Sequence, residues 1–439
     1  MKVHIGALVR VETPVLPAMT LATPTPPTGP LPIWSGEKPL PPLPSALTAP
    51  KLTTGLTRQP TPRLDGPARI EKTLRGMTTA DKVSLLIMGY GDVHTPPATG
   101  AIIVNQTHLN ASGTAQLHAA VTSASLRTGV AEIVAADQEG GGVNRLVALP
   151  GLANHRFLSP KQMQSLDTGA ITAEGKRVGA ALALAQVNMT LAPSLDVADP
   201  GTLMANMNRS FGSTVEDVTT RAGAFIAGMR ETNPGLMIVA KHFPGYDVRS
   251  NSDISISTDH ASAADIRTRS RAFFGAGDVD GYMLNSIHYE AFGGESACFS
   301  KEVVAMIRAE RPDAVIITDD LGAPGLFSHE VCAYKNYEAM MDAPDVNRVQ
   351  LAGLLRTYPQ LGTSAGRAKL RAQVDTELRV NTVKAFTAGV DLFLIMDNRA
   401  VLQVRRALLD MLAAQPELVP QLDAAVTRVL AMVAKRTAP

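Results

Sequence analysis

DAVIITDDLG, residues 313–322, is an apolar run that stops abruptly at two carboxylates. From Ala314 to Ile317 there is no alternation of polar and apolar side chains. A strand of that kind is buried on both faces, as in a parallel sheet covered by helices. Such sheets carry their chemistry at the C-terminal ends of the strands, where Asp319 and Asp320 stand.

Seven further runs share the pattern: SLLIM (84–88), GAIIV (100–104), AEIVAA (131–136), VNMTLA (187–192), LMIVA (236–240), GYMLN (281–285) and VDLFLIM (390–396). Ala-rich segments of helical period, such as TTRAGAFIAGMRE and VVAMIRAER, separate most of them. Eight β–α units in about 370 residues fit the α/β class as a (β/α)8 TIM-type barrel with insertions. A doubly wound open sheet is the alternative. Asp137, Asp196, Lys241 with His242, Asn285, Asp319 and Asp397 each follow a run, and a barrel brings such positions to one rim.

Residues 1–65 are Pro- and Thr-rich, as in TLATPTPPTGPLP, and read as an extended tail or linker, or else as an arm packed along the barrel. Residues 66–439 form the barrel domain. A net charge of +1 leaves no electrostatic footprint for nucleic acid or an anionic membrane. Aromatics at 4%, with Trp34 the one tryptophan, argue against a stacking platform for long polymers. A small or neutral molecule is the expected partner. Cys298 and Cys332 make neither a disulfide framework nor a metal site and are expected as unpaired thiols. No apolar run approaches the ~18–20 residues that span a bilayer. The stretch MKVHIGALVRVETPVLP lacks a sustained apolar core and a clear cleavage site, so the chain as written is expected in the cytoplasm, or exported if its start is mis-assigned. Oligomeric state is not legible.

DQEGGGVNRL (137–146), LAPSLDV (191–197), NRSFG (208–212), AKHFPG (240–245), VIITDDLG (315–322) and AGVDLFLIMDN (388–398) occur in this order. Together they resemble the landmarks of the β-N-acetylglucosaminidases (β-hexosaminidases) of glycoside hydrolase family 3, in the barrel-only branch. The resemblance covers about residues 70 to 435. It implies a retaining exo-glycosidase that removes terminal β-linked N-acetylglucosamine, for example from peptidoglycan turnover fragments, without metal or organic cofactor. It implies Asp319 as the nucleophile that forms a covalent glycosyl-enzyme, and Asp137, Arg145, Arg209, Lys241 and His242 as the sugar-binding set. The chemistry is coherent: a carboxylate attacks the anomeric carbon, a proton donor serves the leaving oxygen, and nearby cations favour the ionised nucleophile. Asp320, the next residue along the strand end, points away and reads as structural.

Three departures from the family pattern stand out. Gly142 replaces an arginine inside the first motif, which loses a guanidinium and gains flexibility. The family loop after KHFPG ends in an Asp-Ser-His run whose His donates the proton; this chain reads KHFPGYDVRSNSDISISTDH. With one inserted residue Asp253 falls at the family Asp and Ser255 at the His; without it Ile254 takes that place. Asp253 is the candidate donor, provided burial keeps it protonated, and His260 and His288 are conceivable substitutes. Thirdly, residues 327–380 read as an insertion beside the Asp319 rim, able to reshape the substrate entrance or form a subunit contact. A family member that binds amino sugars or muropeptides without turnover, and a transglycosidase, remain as alternatives.

Overall fold

The computed structural model describes residues 66–90, 99–105, 109, 130, 132–148 and 156–437. The Pro-rich segment 1–65 lies outside the described residues.

All eight runs contribute strands to one parallel sheet: β1 (Ile87–Tyr90), β2 (Ala101–Val104), β3 (Ile133–Ala136), β4 (Met189–Thr190), β5 (Met237–Phe243), β6 (Gly281–Leu284), β7 (Val315–Ile317) and β8 (Phe393–Ile395). Neighbours in sequence are neighbours in the sheet, and β1 pairs with β8 through Ile87 and Phe393. The ring closes between β7 and β8 at an Ile317–Leu392 bridge, reinforced where the Thr318 N–H donates to the Leu392 carbonyl at 3.0 Å. The fold is therefore a TIM-like barrel and not an open sheet. Nearly every strand residue is buried, as continuous apolar runs require.

Two strands depart from their expected bounds for local reasons. In SLLIM the capping box of Thr78 and Asp81 starts a helix, Thr79–Leu85, that consumes the first residues of the run, so β1 begins at Ile87. In VNMTLA the ladder is short because Pro193 has no N–H to give; only an isolated bridge from Ser194 to Lys241 follows.

Helices cover the outside. Thr168–Leu184 and Val215–Thr232 cross closely because glycines face each other. A Cβ at Gly175 would lie 2.2 Å from the Phe225 carbonyl oxygen, and one at Gly228 would lie 2.1 Å from that of Thr172. The post-β7 segment folds as His329–Asp342, Arg348–Thr357 and Ser364–Ala388. The last of these is a barrel helix, with Leu378, Ala385 and Phe386 in the main core, so the insertion proper ends near residue 362 rather than 380. Ala333, Tyr334, Leu361 and Leu370 give the inserted helices a small core of their own.

The same substitution should have opposite signs at two helical glycines. Gly228→Ala has no room and should destabilise by about 1–3 kcal/mol. Gly353→Ala, in Arg348–Thr357 with nothing within 4 Å of the new Cβ, should stabilise by about 0.5–1 kcal/mol. Urea denaturation of both variants reads the two signs.

Candidate active site

The rim is organised around an anion that the motifs do not advertise. Beyond β3 the chain runs extended, so Asp137 and Glu139 project to the same side. Lys241, near the end of β5, reaches both: its Nζ lies 2.5 Å from Asp137 Oδ1 and 2.8 Å from Glu139 Oε1. Arg209 clamps Glu139 from the other side, Nε to Oε2 at 2.9 Å and Nη2 to Oε1 at 2.8 Å. Burial alone would push the Glu139 carboxyl up, but Arg209 and Lys241 outweigh it and hold it far below the usual carboxylate range. Burial likewise opposes the Lys241 charge, and Asp137 and Glu139 overcome it, so its pKa is raised.

The tight turn that returns this loop needs Gly140: its φ is 90°, and a Cβ there would sit 2.0 Å from the Leu158 carbonyl oxygen. The Gln138 side chain ties the far end, accepting from the Arg145 N–H at 2.9 Å. Arg145 stands 3.8 Å from Asp137 across a half-exposed gap. Gly142 has open space around it and no positive φ, so the local backbone does not require a glycine there.

His242 links this network to Asp196. Its Nδ1 lies 2.7 Å from Asp196 Oδ2 and its Nε2 lies 3.0 Å from Arg209 Nη2. A guanidinium faces one ring nitrogen and a carboxylate the other, which fixes the orientation of the ring. Burial would raise the Asp196 carboxyl; His242, Ser194 and the Tyr246 N–H together hold it below its ordinary value. Both nitrogens of His242 are thereby committed.

Asp319 differs from these anions. It follows β7 beside buried Thr318, and one carboxylate oxygen accepts the Asp320 N–H at 2.8 Å. Among the described residues it forms no ion pair. Burial first, then the neighbouring Asp253 charge, push its pKa up to about 6, against the smaller pull of His242, the Asp320 N–H and Lys241. Asp320 turns away and caps the β7–β8 seam, accepting from Gly322 N–H at 2.9 Å and Met396 N–H at 3.0 Å. Asp397 belongs to the next helix, where it accepts from the Arg399 N–H and pairs with that guanidinium. Asn285 is structural, bonded to the His242 carbonyl and Tyr289.

The loop after β5 brings Asp253 within electrostatic reach of Asp319, yet exposes it to solvent. The burial expected of a carboxylic acid that keeps its proton is absent. Neither sequence-derived substitute stands free. His260 is exposed and pairs with Glu290 at 2.9 Å, while both ring nitrogens of His288 face carbonyls, Gly294 at 3.2 Å and Gly325 at 3.1 Å. Cys298 and Cys332 are buried free thiols. Among the described residues no His, Cys, Asp and Glu cluster has metal-site geometry, and no helix is long and apolar enough to cross a membrane.

Residues 92–346 match the family model described as the glycosyl hydrolase family 3 N terminal domain. The chain belongs to this family. The β-hexosaminidase of Methylococcus capsulatus is 31% identical over 201 residues, 44% of this chain and 59% of that protein. A Pseudomonas aeruginosa β-hexosaminidase is 30% identical over 203 residues, 44% of this chain and 58% of its own length. The chain thus spans under three fifths of these curated relatives. The crystal structure of the β-N-acetylhexosaminidase from Beutenbergia cavernae superposes with a TM-score of 0.63 at 25% identity, over 81% of this family 3 chain and 98% of that one.

The family 3 rim mixes groups that stabilise the fold with one that strains it. The folded pKa of Asp319 lies above its unfolded value of 3.8, so its favourable contribution is complete below that pH and is lost as pH rises through about 6. Asp319→Asn should therefore stabilise the protein at pH 8 by about 1–3 kcal/mol, with the gain shrinking toward pH 4. Glu139→Gln removes the anion shared by two buried cations and should cost about 3–5 kcal/mol. Thermal melts of both variants across pH check the contrast.

Proposed function

We propose that this family 3 protein is a retaining exo-glycosidase for terminal β-linked N-acetylglucosamine, with Asp319 as nucleophile. The observation that carries the proposal is the division of labour among the rim carboxylates. Asp137, Glu139 and Asp196 are each engaged by Lys241, Arg209 or His242, while Asp319 alone of the four makes no ion pair among the described residues. A nucleophile must keep its lone pairs available, and a site that fixes everything around it meets that need.

The chemistry follows from the groups present. Ionised Asp319 attacks the anomeric carbon and the glycosidic C–O bond breaks, which leaves a glycosyl ester; water then cleaves the ester and regenerates the carboxylate. Lys241, Arg209, Arg145 and Asp137 hold the sugar hydroxyls, and His242, with both nitrogens engaged, fixes Arg209 rather than touching the sugar as the resemblance implied. Relatives named β-hexosaminidases support the amino sugar, and peptidoglycan turnover fragments are a source of such termini. Asp253 is the proton donor in this reading. Its exposure favours a second reading, a protein that binds amino sugars without turning them over.

The two readings part on leaving groups. General acid catalysis contributes about 10²–10⁴-fold and matters most for a sugar alkoxide, whereas p-nitrophenolate leaves with little help. The aryl N-acetylglucosaminide should be cleaved, with kcat/KM rising as Asp319 ionises near pH 6, and the natural disaccharide far more slowly. Asp253→Asn should suppress disaccharide cleavage and spare the aryl substrate; Asp319→Asn should abolish both. Binding of N-acetylglucosamine with neither substrate cleaved would replace the enzyme by the binder.

A further inference from the structure

The loop that carries Asp253 is fastened from outside the barrel motif. From within, the Tyr246 hydroxyl accepts the Ser252 N–H at 2.7 Å and donates toward the Ser250 carbonyl at 3.0 Å, while Asn251 Oδ1 accepts the Asp253 N–H at 2.9 Å. The Asn251 carbonyl also accepts from the Ile254 and Ser255 N–H groups at 3.2 and 2.9 Å, and further fixings come from the segment after β7. The Gly325 N–H donates to the Ser252 carbonyl at 3.2 Å, and a Cβ on Gly325 would lie 2.3 Å from that oxygen and 2.6 Å from the Ser255 oxygen. One residue beyond Asp253, the Ile254 carbonyl accepts from Asn336 Nδ2 at 2.7 Å, with Cys332 Sγ at 3.8 Å. Both groups sit on the inserted helix His329–Asp342. Asn336 and Cys332 are one turn apart, so one helical face delivers both donors to one oxygen.

The helix is itself anchored. Ser328, at its N-terminus, bonds Glu377 of the following barrel helix through its N–H at 2.8 Å and its hydroxyl at 2.7 Å, and Tyr334 packs in the insertion's own core. Meanwhile Asp253 and Ile254 are exposed, Ile254 to 57%, so side-chain packing does little to fix this stretch of loop. Hydrogen bonds to its backbone do that instead, from the local turn onto Asn251, from Gly325 and, at Ile254, from Asn336 of the insertion.

We infer that Asn336 is a positioning residue, which holds Asp253 beside Asp319 through the Ile254 carbonyl and makes the insertion a working wall of the site. The inference rests on Asp253 being the donor. Losing the Asn336 amide frees the Ile254 carbonyl to turn to water, and Asp253 moves with it. A carboxylate displaced by about 1 Å costs on the order of 10²-fold in a reaction that depends on placement. Asp319 is also faced by Lys241 and His242 from β5, by Tyr246 on the loop, by Asp320 on its own segment and by Cys298 beneath it; none of these is held by Asn336.

The test is a double-variant cycle on the whole chain with Asn336→Ala, Asp253→Asn and their combination, read by amide hydrogen exchange over residues 251–257 and by kcat/KM on the disaccharide and on the aryl N-acetylglucosaminide. Asn336→Ala is expected to speed exchange in the loop and, like Asp253→Asn, to slow the disaccharide while sparing the aryl substrate. It should lower disaccharide cleavage about 10–100-fold, and add nothing in the combined variant. Unchanged exchange, additive effects, or disaccharide cleavage that falls with Asp253→Asn but not with Asn336→Ala would overturn the inference. If Asp253→Asn itself leaves disaccharide cleavage intact, the donor assignment fails and this proposal falls with it.

Discussion

Glu139, enclosed between Arg209 and Lys241, is the constraint from which the rest of the site follows. Its carboxylate is the point where three separate parts of the chain meet: the loop after β3, the segment ahead of Val215–Thr232, and the end of β5. Two cations brought together without it would repel; with it, Lys241 is left free to reach Asp137 and Arg209 to reach His242. A buried network of this kind adds little net stability compared with well-packed apolar side chains, but it fixes one arrangement. The contact between His242 and Asp196 extends the same order to the loop after β4, where Tyr246 N–H also binds Asp196 at 2.8 Å.

Against that rigid half stands a strained one. Asp319 is held in place by backbone, its own N–H donating to the Leu284 carbonyl at 3.0 Å, while among the described residues no counter-ion pairs with its carboxylate. The barrel absorbs the cost because its closure does not depend on that carboxylate: Thr318 and Asp320, on either side, tie β7 to β8. An alternation of structural and available residues along one strand end is what a reactive group on a rigid scaffold needs.

The barrel was legible because strands buried on both faces leave continuous apolar runs, and all eight became strands. Their ends were not, where Thr78 extended a helix or Pro193 cut a ladder. The set Asp137, Arg145, Arg209, Lys241 and His242 was legible through motif resemblance, and the structure brings these residues together. Glu139 was overlooked although it lies two residues past Asp137, on the same side of an extended chain, directly ahead of three glycines. Asp196 was seen as a strand-end residue but not as the partner of His242. The exposure of Asp253 could not be read from sequence, because the loop's course is set by Asn336 and Gly325, more than seventy residues further along the chain.

The account turns on Asp319 as the residue that takes the sugar. Incubation with a slow substrate that carries a good leaving group, such as a 5-fluoro-N-acetylglucosaminyl fluoride, followed by intact-protein and peptide mass spectrometry, tests it directly. One sugar mass should be added per chain, on the peptide that contains Asp319, and none in Asp319→Asn. An adduct on any other residue, or hydrolysis that proceeds at full rate in Asp319→Asn, would contradict it.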